Sequence, residues 1–319
     1  MKRRVVITGV AGFIGSNLAD RLLSEGYRVV GIDNLAYGVP EQIPDGVEFH
    51  RIDIRDAKLG DLIEEGDVVF HLAAKNCIAD CQQDPVETAS INVTGTVQVF
   101  EAARGARARK VIYAESSSLY EGSQVLPTPE TELRPESFYA VSKLASMLFA
   151  DAYQRYFGLR MTALRYFCVY GPRQDYRRTI PPVMSAFILK LMRGQSPTIY
   201  GSGEKRRDFI HVDDVNSFHL LCIDDPRTDG RVFNLGSGQN HSVKQIYEKI
   251  ALILNSDIAA VYKPDMPGEA QETLANIDAA TALGWRPTVD LETGLRSFVE
   301  YYKRHGIGEL EPKTSVSHS

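Results

Sequence analysis

The 319-residue sequence is sparing with cysteine. It has four, Cys77, Cys81, Cys168 and Cys222, and none stands in a metal-binding spacing. The stretch "CIADC" puts two of them four apart, with no second Cys or His pair at finger-like distance. That excludes a zinc-ribbon or finger site, and no metal is expected. Free thiols in a reducing compartment are the expectation. Long apolar runs are also missing. No window approaches the ~18 apolar residues of a membrane span, and "MKRRVVITG" breaks at Gly9 before a signal-peptide core can form. A membrane protein is therefore excluded and a cytoplasmic one expected. A basic excess is lacking too: 36 Lys and Arg face 41 Asp and Glu, for a formal charge of -5. General nucleic-acid binding shows as a basic patch or stripe, so no nucleic-acid partner is expected.

What is present is ordinary globular material, 44% hydrophobic and 24% charged, enough for a large core. Apolar, β-branched runs recur: "RRVVITG", "YRVVGID", "VEFHRID", "DVVFHLAA", "KVIYAES" and "MTALRYFCVYG". Between them the spacing predicts helices over Ile14 to Ser24, Val86 to Arg104 and Tyr139 to Phe157. Continuous apolar strands alternating with amphipathic helices predict an α/β fold with a doubly wound, Rossmann-type parallel sheet. After Gly171 the texture changes to "GPRQDYRRTIPP", which marks a smaller α/β domain over residues 173–307. The first domain, residues 1–172, is expected to take back a segment around 208–238, because "RVFNLGS" reads as a strand returning to the sheet. The polar, aperiodic tail 308–319 is expected to be disordered.

Directly after the first strand, "TGVAGFIGS" places Gly9, Gly12 and Gly15 at the opening of a helix. Glycines there allow a sharp turn, close approach to a pyrophosphate and tight helix-on-strand packing, while the helix N-terminus supplies N–H donors. Asp33 closes the second strand, the place from which a carboxylate holds both ribose hydroxyls and repels a 2′-phosphate, which favours NAD. Asp53 and Ile54, after the third strand, fit an adenine-contacting position. Further along, Tyr139 and Lys143 stand four apart in "SFYAVSK", on one face of a helix. A tyrosine with its ordinary pKa near 10 is a poor base, and a neighbouring ammonium favours the phenolate. Tyr139 is thus a general-base candidate and Lys143 its activator.

Taken together, "TGVAGFIGSNL", "DNLAYG", "HLAA", "INVTGT", "SSS..Y", "YAVSK", "LRYFCVYGPRQ" and "RRDFIHVDDV" resemble the extended short-chain dehydrogenase/reductase family, in particular its sugar-nucleotide epimerases and dehydratases. The resemblance runs from about Arg4 to about Tyr302. It implies bound NAD, a UDP-sugar in the C-terminal domain and a Ser–Tyr–Lys triad. Cofactor contacts carry over to Gly9, Gly12, Phe13, Ile14, Gly15, Asp33, Asn34 and Gly38, then to Asp53, Ile54, Leu72, Ala73, Ala74 and Asn92, with Tyr139 and Lys143 at the nicotinamide end. Counting back from Tyr120 places the triad hydroxyl at Ser116, with Ser117 in reserve.

The family's chemistry begins with loss of the O4 proton to the tyrosine and of the C4 hydride to NAD. Its dehydratases add carboxylates beside the triad hydroxyl, where this chain has Ser117, Ser118 and Leu119. Glu115 and Glu121 flank the stretch, but neither is in an acid position, and both are expected to face solvent or a turn. The resemblance therefore implies 4-epimerisation of a UDP-sugar. The alternatives are a dehydratase, an epimerase of another sugar such as a UDP-uronic acid, and, remotely, a non-catalytic NAD-sensing regulator. Arg207 matches the family's diphosphate-binding arginine, and Ser117, Ser118 and Arg173 join it as substrate contacts. Cys168 and Met266 replace two expected contacts to the diphosphate. Thr273, at the position governing room around C2 of the sugar, leans towards UDP-GlcNAc and UDP-GalNAc over UDP-Glc and UDP-Gal. An apolar stripe on the helices Val86 to Arg104 and Tyr139 to Phe157 implies a homodimer.

Overall fold

Runs of valine and isoleucine with no polar side belong in strands covered on both faces, where branched side chains pack on the pleat. In the computed structural model, which describes residues 3–177, 180–265 and 270–306, these runs build the main sheet. Its strands are β1 (Arg4–Thr8), β2 (Arg28–Asp33), β3 (Glu48–Arg51), β4 (Val68–His71), β5 (Lys110–Ser116) and β6 (Met161–Tyr166). The short β7 (Cys168–Tyr170) and β8 (Thr198–Tyr200) and the six-residue β9 (Arg206–His211) lie elsewhere, and β10 (Arg231–Leu235) returns to the sheet. The order is β10-β6-β5-β4-β1-β2-β3, with every neighbouring pair parallel. The strand order reverses between β1 and β4, so the loops leaving those two strands diverge and open a crevice at their carboxyl ends.

On one face lie α1 (Phe13–Ser24) and, from later in the chain, α7 (Val212–Asp224); their Leu18, Leu22, Val215 and Phe218 join Val5, Ile7, Phe70 and Phe233 in one core. On the other face Val6, Val30, Val69 and Val111 meet Phe100 and Ala150. The expected helix Val86 to Arg104 is present in three consecutive pieces: α3 (Pro85–Ala89), a wide π-helical turn Ser90–Gly95, and α4 (Thr96–Gly105), after the short α2 (Ile78–Gln83). Gly95 is there because Ile54 closes on it: a Cβ would meet the Ile54 Cδ1 at 2.7 Å. The next helix, α5 (Phe138–Phe157), begins one residue before the expected start and stops at Gly158 in the left-handed conformation.

"MTALRYFCVYG" breaks where periodicity gave no warning. Tyr166 ends β6, and after Phe167 the chain leaves for a second sheet of order β11-β9-β7, β11 being Asn240–Ser242. The helices α6 (Val183–Met192) and α8 (Val243–Leu254) pack in a core around Phe187, Ile188, Ile246 and Phe298. A two-stranded pair joins β8 to β12 (Val261–Lys263), and α9 (Asp278–Thr281) and α10 (Leu291–His305) complete the described chain. All four cysteines are free thiols. Among the described residues no helix is long and apolar enough to cross a membrane.

Candidate functional site

The crevice is an open cleft whose lining runs from the loop after β1, past the ends of β2 and β4, to the first turns of α5, an elongated site suited to an extended ligand. Gly9, Gly12, Phe13, Ile14 and Gly15 line it. Gly9 has φ +78°, and a Cβ on it would lie 2.8 Å from the Ala73 backbone nitrogen; one on Gly15 would lie 2.2 Å from the Gly9 carbonyl oxygen. The loop after β1 thus packs directly on the loop after β4. No side chain caps the N-terminus of α1 at Gly12, which leaves its first-turn N–H groups and the positive end of its dipole for an anion.

Asp33, at the end of β2, also lines the cleft. Its carboxylate accepts from the Ala11 N–H (3.1 Å) and the Leu35 N–H (2.8 Å). Gly38 approaches so closely that a Cβ would sit 2.9 Å from Asp33 Oδ1. Asn34, Asp53 and Ile54 line the same end. Asp53 accepts from Asn34 (2.8 Å) and from the Arg55 guanidinium (2.8 Å), which holds its carboxyl down at about 2. A glycine cradle at an uncapped helix N-terminus, followed by a carboxylate at the next strand end, fits an adenine dinucleotide.

Leu72, Ala73 and Ala74 form the opposite wall. Behind them is His71, 3% exposed, whose ring bridges Thr8 Oγ1 (2.8 Å) and Thr96 Oγ1 (2.9 Å). Burial, with Lys143 nearby, holds its pKa at about 3, so it is a neutral strut between β1, β4 and α4. Asn92 is absent from the cleft wall. Its amide is engaged with the backbone N–H and carbonyl of Lys75 and with Ser142 Oγ (2.8, 2.9 and 3.0 Å), so it pins the wall to α5 from behind.

Tyr139 and Lys143 reach the cleft from the first turns of α5. The ammonium lies 6.0 Å from the Tyr139 ring centroid and donates to the Ala114 carbonyl at 2.9 Å. Burial lowers its pKa to about 8, while Glu115 and Cys81 act in the opposite sense. Ala114 is two residues before Ser116, which ends β5 and caps the turn Ser117–Tyr120 by accepting from the Ser118 N–H at 3.2 Å. Ser118 Oγ is buried without a hydrogen-bond partner.

One expectation is corrected here. Glu115 does not face solvent: it is 1% exposed, with Arg165 Nε donating to it at 2.5 Å and Tyr113 Oη at 3.0 Å. Arg165 also donates to Tyr120 Oη (2.9 Å), and Tyr120 in turn to Asn234 (2.7 Å), which knits the serine turn to β6 and β10. Glu121 lies in a turn, as expected, and is half-buried. Its carboxylate accepts from Ser137, the cap of α5.

The structure brings several substrate candidates of the C-terminal region together. Cys168 pairs in register with Phe209 on β9, the strand that carries Arg207. Thr273 donates its N–H to the Arg206 carbonyl (3.1 Å), and its Oγ1 accepts from the Asp208 N–H (3.3 Å). Arg173 sits apart from them, in an ion pair with Asp20 of α1 at 2.5 Å. Met266 lies outside the described residues. Sequence reasoning missed Tyr37, Lys75, Asn76 and Tyr166 in the cleft wall. Lys75 and Asn76 directly follow "HLAA", while Tyr37 and Tyr166 lie inside "DNLAYG" and "LRYF", so reading every residue of those motifs and two beyond "HLAA" would have found all four.

A family model described as the NAD dependent epimerase/dehydratase family matches residues 5–236. The chain is 36% identical over 310 residues to a UDP-glucose 4-epimerase of Mycolicibacterium smegmatis, covering 94% of this chain and 98% of that one. Among solved structures it is similar to a UDP-N-acetylglucosamine 4-epimerase of Methanobrevibacter ruminantium in complex with UDP-N-acetylmuramic acid: TM-score 0.92, 32% identity, 96% and 100% coverage. A UDP-glucuronic acid 4-epimerase of Bacillus cereus, in complex with UDP-glucuronic acid and NAD, superposes with TM-score 0.86 at 30% identity, covering 94% and 99%.

Proposed function

The chain belongs to the NAD dependent epimerase/dehydratase family, and from that premise we propose that it interconverts the C4 epimers of a UDP-sugar, with UDP-GlcNAc and UDP-GalNAc as the preferred pair. The carrying observation is the bond from Lys143 Nζ to the Ala114 carbonyl. It anchors the Tyr139–Lys143 pair, which lines the cleft that the glycine loop opens, to the strand that ends in Ser116. NAD, when bound, supplies the hydride acceptor and donor. Tyr139 removes and returns the O4 proton, Ser116 hydrogen-bonds O4, and Lys143 holds the phenolate charge and a ribose hydroxyl. Asp33 selects NAD over NADP.

The sugar is held by the smaller domain, residues 173–307 apart from α7 and β10, which return to the main sheet, through Arg207 beside Thr273. The dehydratase alternative is disfavoured because both nearby carboxylates are committed, Glu115 to Arg165 and Glu121 to Ser137. We further propose a homodimer. Phe138, Val141, Leu148 and Phe149 of α5 and Val86 of α3, itself 80% exposed, leave an apolar surface on adjacent helices.

The test is incubation of the pure protein with UDP-GlcNAc, UDP-Glc and UDP-glucuronic acid separately, without added cofactor. The expected result is formation of UDP-GalNAc, faster than either other conversion. A faster UDP-Glc or uronic acid conversion would move the sugar assignment, and no conversion of any of the three would refute the epimerase reading.

A further inference from the structure

Glu121 is the first residue after the turn Ser117–Tyr120, and its carboxylate spans to the start of α5. It accepts from the Ser137 N–H (2.8 Å), the Ser137 hydroxyl (2.9 Å) and the Glu136 N–H (3.2 Å). Ser137 in turn caps the helix by accepting from the Ala140 N–H at 3.1 Å. Two backbone bonds reinforce the junction, from Arg134 N–H to the Leu119 carbonyl (2.7 Å) and from Gly122 N–H to the Arg134 carbonyl (2.9 Å). The trailing edge of the serine turn and the leading edge of α5 are therefore one hydrogen-bonded unit, and Tyr139 is two residues from its centre.

Helix N-termini leave backbone donors that need partners, and a carboxylate there is favoured by the dipole. A glutamate reaching in from a separate segment satisfies them and also fixes where the helix begins. We propose that Glu121 is a positioning residue for the reaction: it sets Tyr139 against Ser116 by clamping the start of α5 to the serine turn. Glu121 makes no proton transfer in this scheme. The proposal rests on the epimerase reading of Ser116 and Tyr139. It deepens that reading by giving a role to a carboxylate that the chemistry leaves unused.

The test compares Glu121→Ala and Glu121→Gln with the parent protein, NAD-loaded, on the UDP-sugar the parent converts. A misplacement of a reacting group by about 1 Å costs on the order of 10²-fold in rate. Glu121→Ala is therefore expected to lose about 10- to 100-fold in kcat, with KM and bound NAD per chain unchanged. Glu121→Gln, whose amide oxygen still accepts, should recover most of the rate. A second readout needs no turnover: amide hydrogen exchange over residues 136–140 should be about tenfold faster in Glu121→Ala. Unchanged kcat and exchange in Glu121→Ala, or a Gln variant no better than Ala, would overturn the clamp. If the parent converts no UDP-sugar but Glu121→Ala still speeds exchange, the functional reading fails and the clamp stands.

Discussion

Replacing Tyr139 with phenylalanine is expected to leave a folded, NAD-loaded protein whose turnover falls by about 10²- to 10⁴-fold, the usual contribution of a positioned acid–base group. The substitution deletes one oxygen from the cleft wall and keeps the ring. Lys143 keeps its bond to the Ala114 carbonyl, and the glycine loop and Asp33 are untouched. Chromatography of the UDP-sugars, alongside the absorbance of cofactor released on denaturation, separates lost chemistry from lost binding. Retained turnover would refute Tyr139 as the base.

The same pair sets a pH dependence. Burial lowers the Lys143 pKa from 10.5 to about 8, so the charge that supports the phenolate is lost well below the usual lysine range. Activity should therefore fall on the alkaline side through about pH 8. Stability should move the other way. The unfolded chain keeps this proton up to about 10.5 while the folded chain releases it near 8, so within that window the unfolded state binds more protons and stability rises with pH. Rate and melting temperature measured on the same samples would show the two trends diverging. A Lys143→Met variant should lose this contribution from both.

How far the sequence reaches depends on how local the determining physics is. The glycine loop was legible because turn, close approach and helix start lie within seven residues, and Asp33 because a strand end follows a fixed interval later. The fold class was legible because unbroken apolar runs require cover on both faces. The exit of the chain after Phe167 was not, since "LRYFCVY" carries neither Gly nor Pro and the break is dictated by a second sheet waiting for Cys168. The bonds by which Asn92 holds Lys75 and Ser142 were not legible either, since its partners lie 17 and 50 residues away. Arg173, grouped with the substrate arginines by sequence proximity, is held on α1 by Asp20, far back in the chain. Glu115 was misjudged for the same reason: its partner Arg165 is 50 residues away, and an acidic residue without a local partner reads as exposed.

Removing the Glu115 carboxylate is expected to be the most destabilising of these changes. Arg165 and Glu115 are both about 1% exposed, and truncating one member of a buried ion pair leaves the other charge without its counter-charge, a penalty of about 3–5 kcal/mol. Glu115→Ala should accordingly lower the melting temperature by roughly 6–20 °C, at the ~2–4 °C per kcal/mol typical of larger domains. Glu115→Gln should cost less, since its amide oxygen can still accept from Arg165 Nε. The double variant Glu115→Gln/Arg165→Met should recover part of the loss, because the orphaned charge itself carries the penalty. A double variant as unstable as the sum of the two single ones would show that the pair is not coupled. The active site gives a second reading of the same carboxylate. Glu115 opposes the burial that lowers the Lys143 pKa, so in Glu115→Gln the alkaline limb of the rate profile should move below about pH 8. An unmoved limb would confine Glu115 to holding the serine turn through Arg165 and Tyr120.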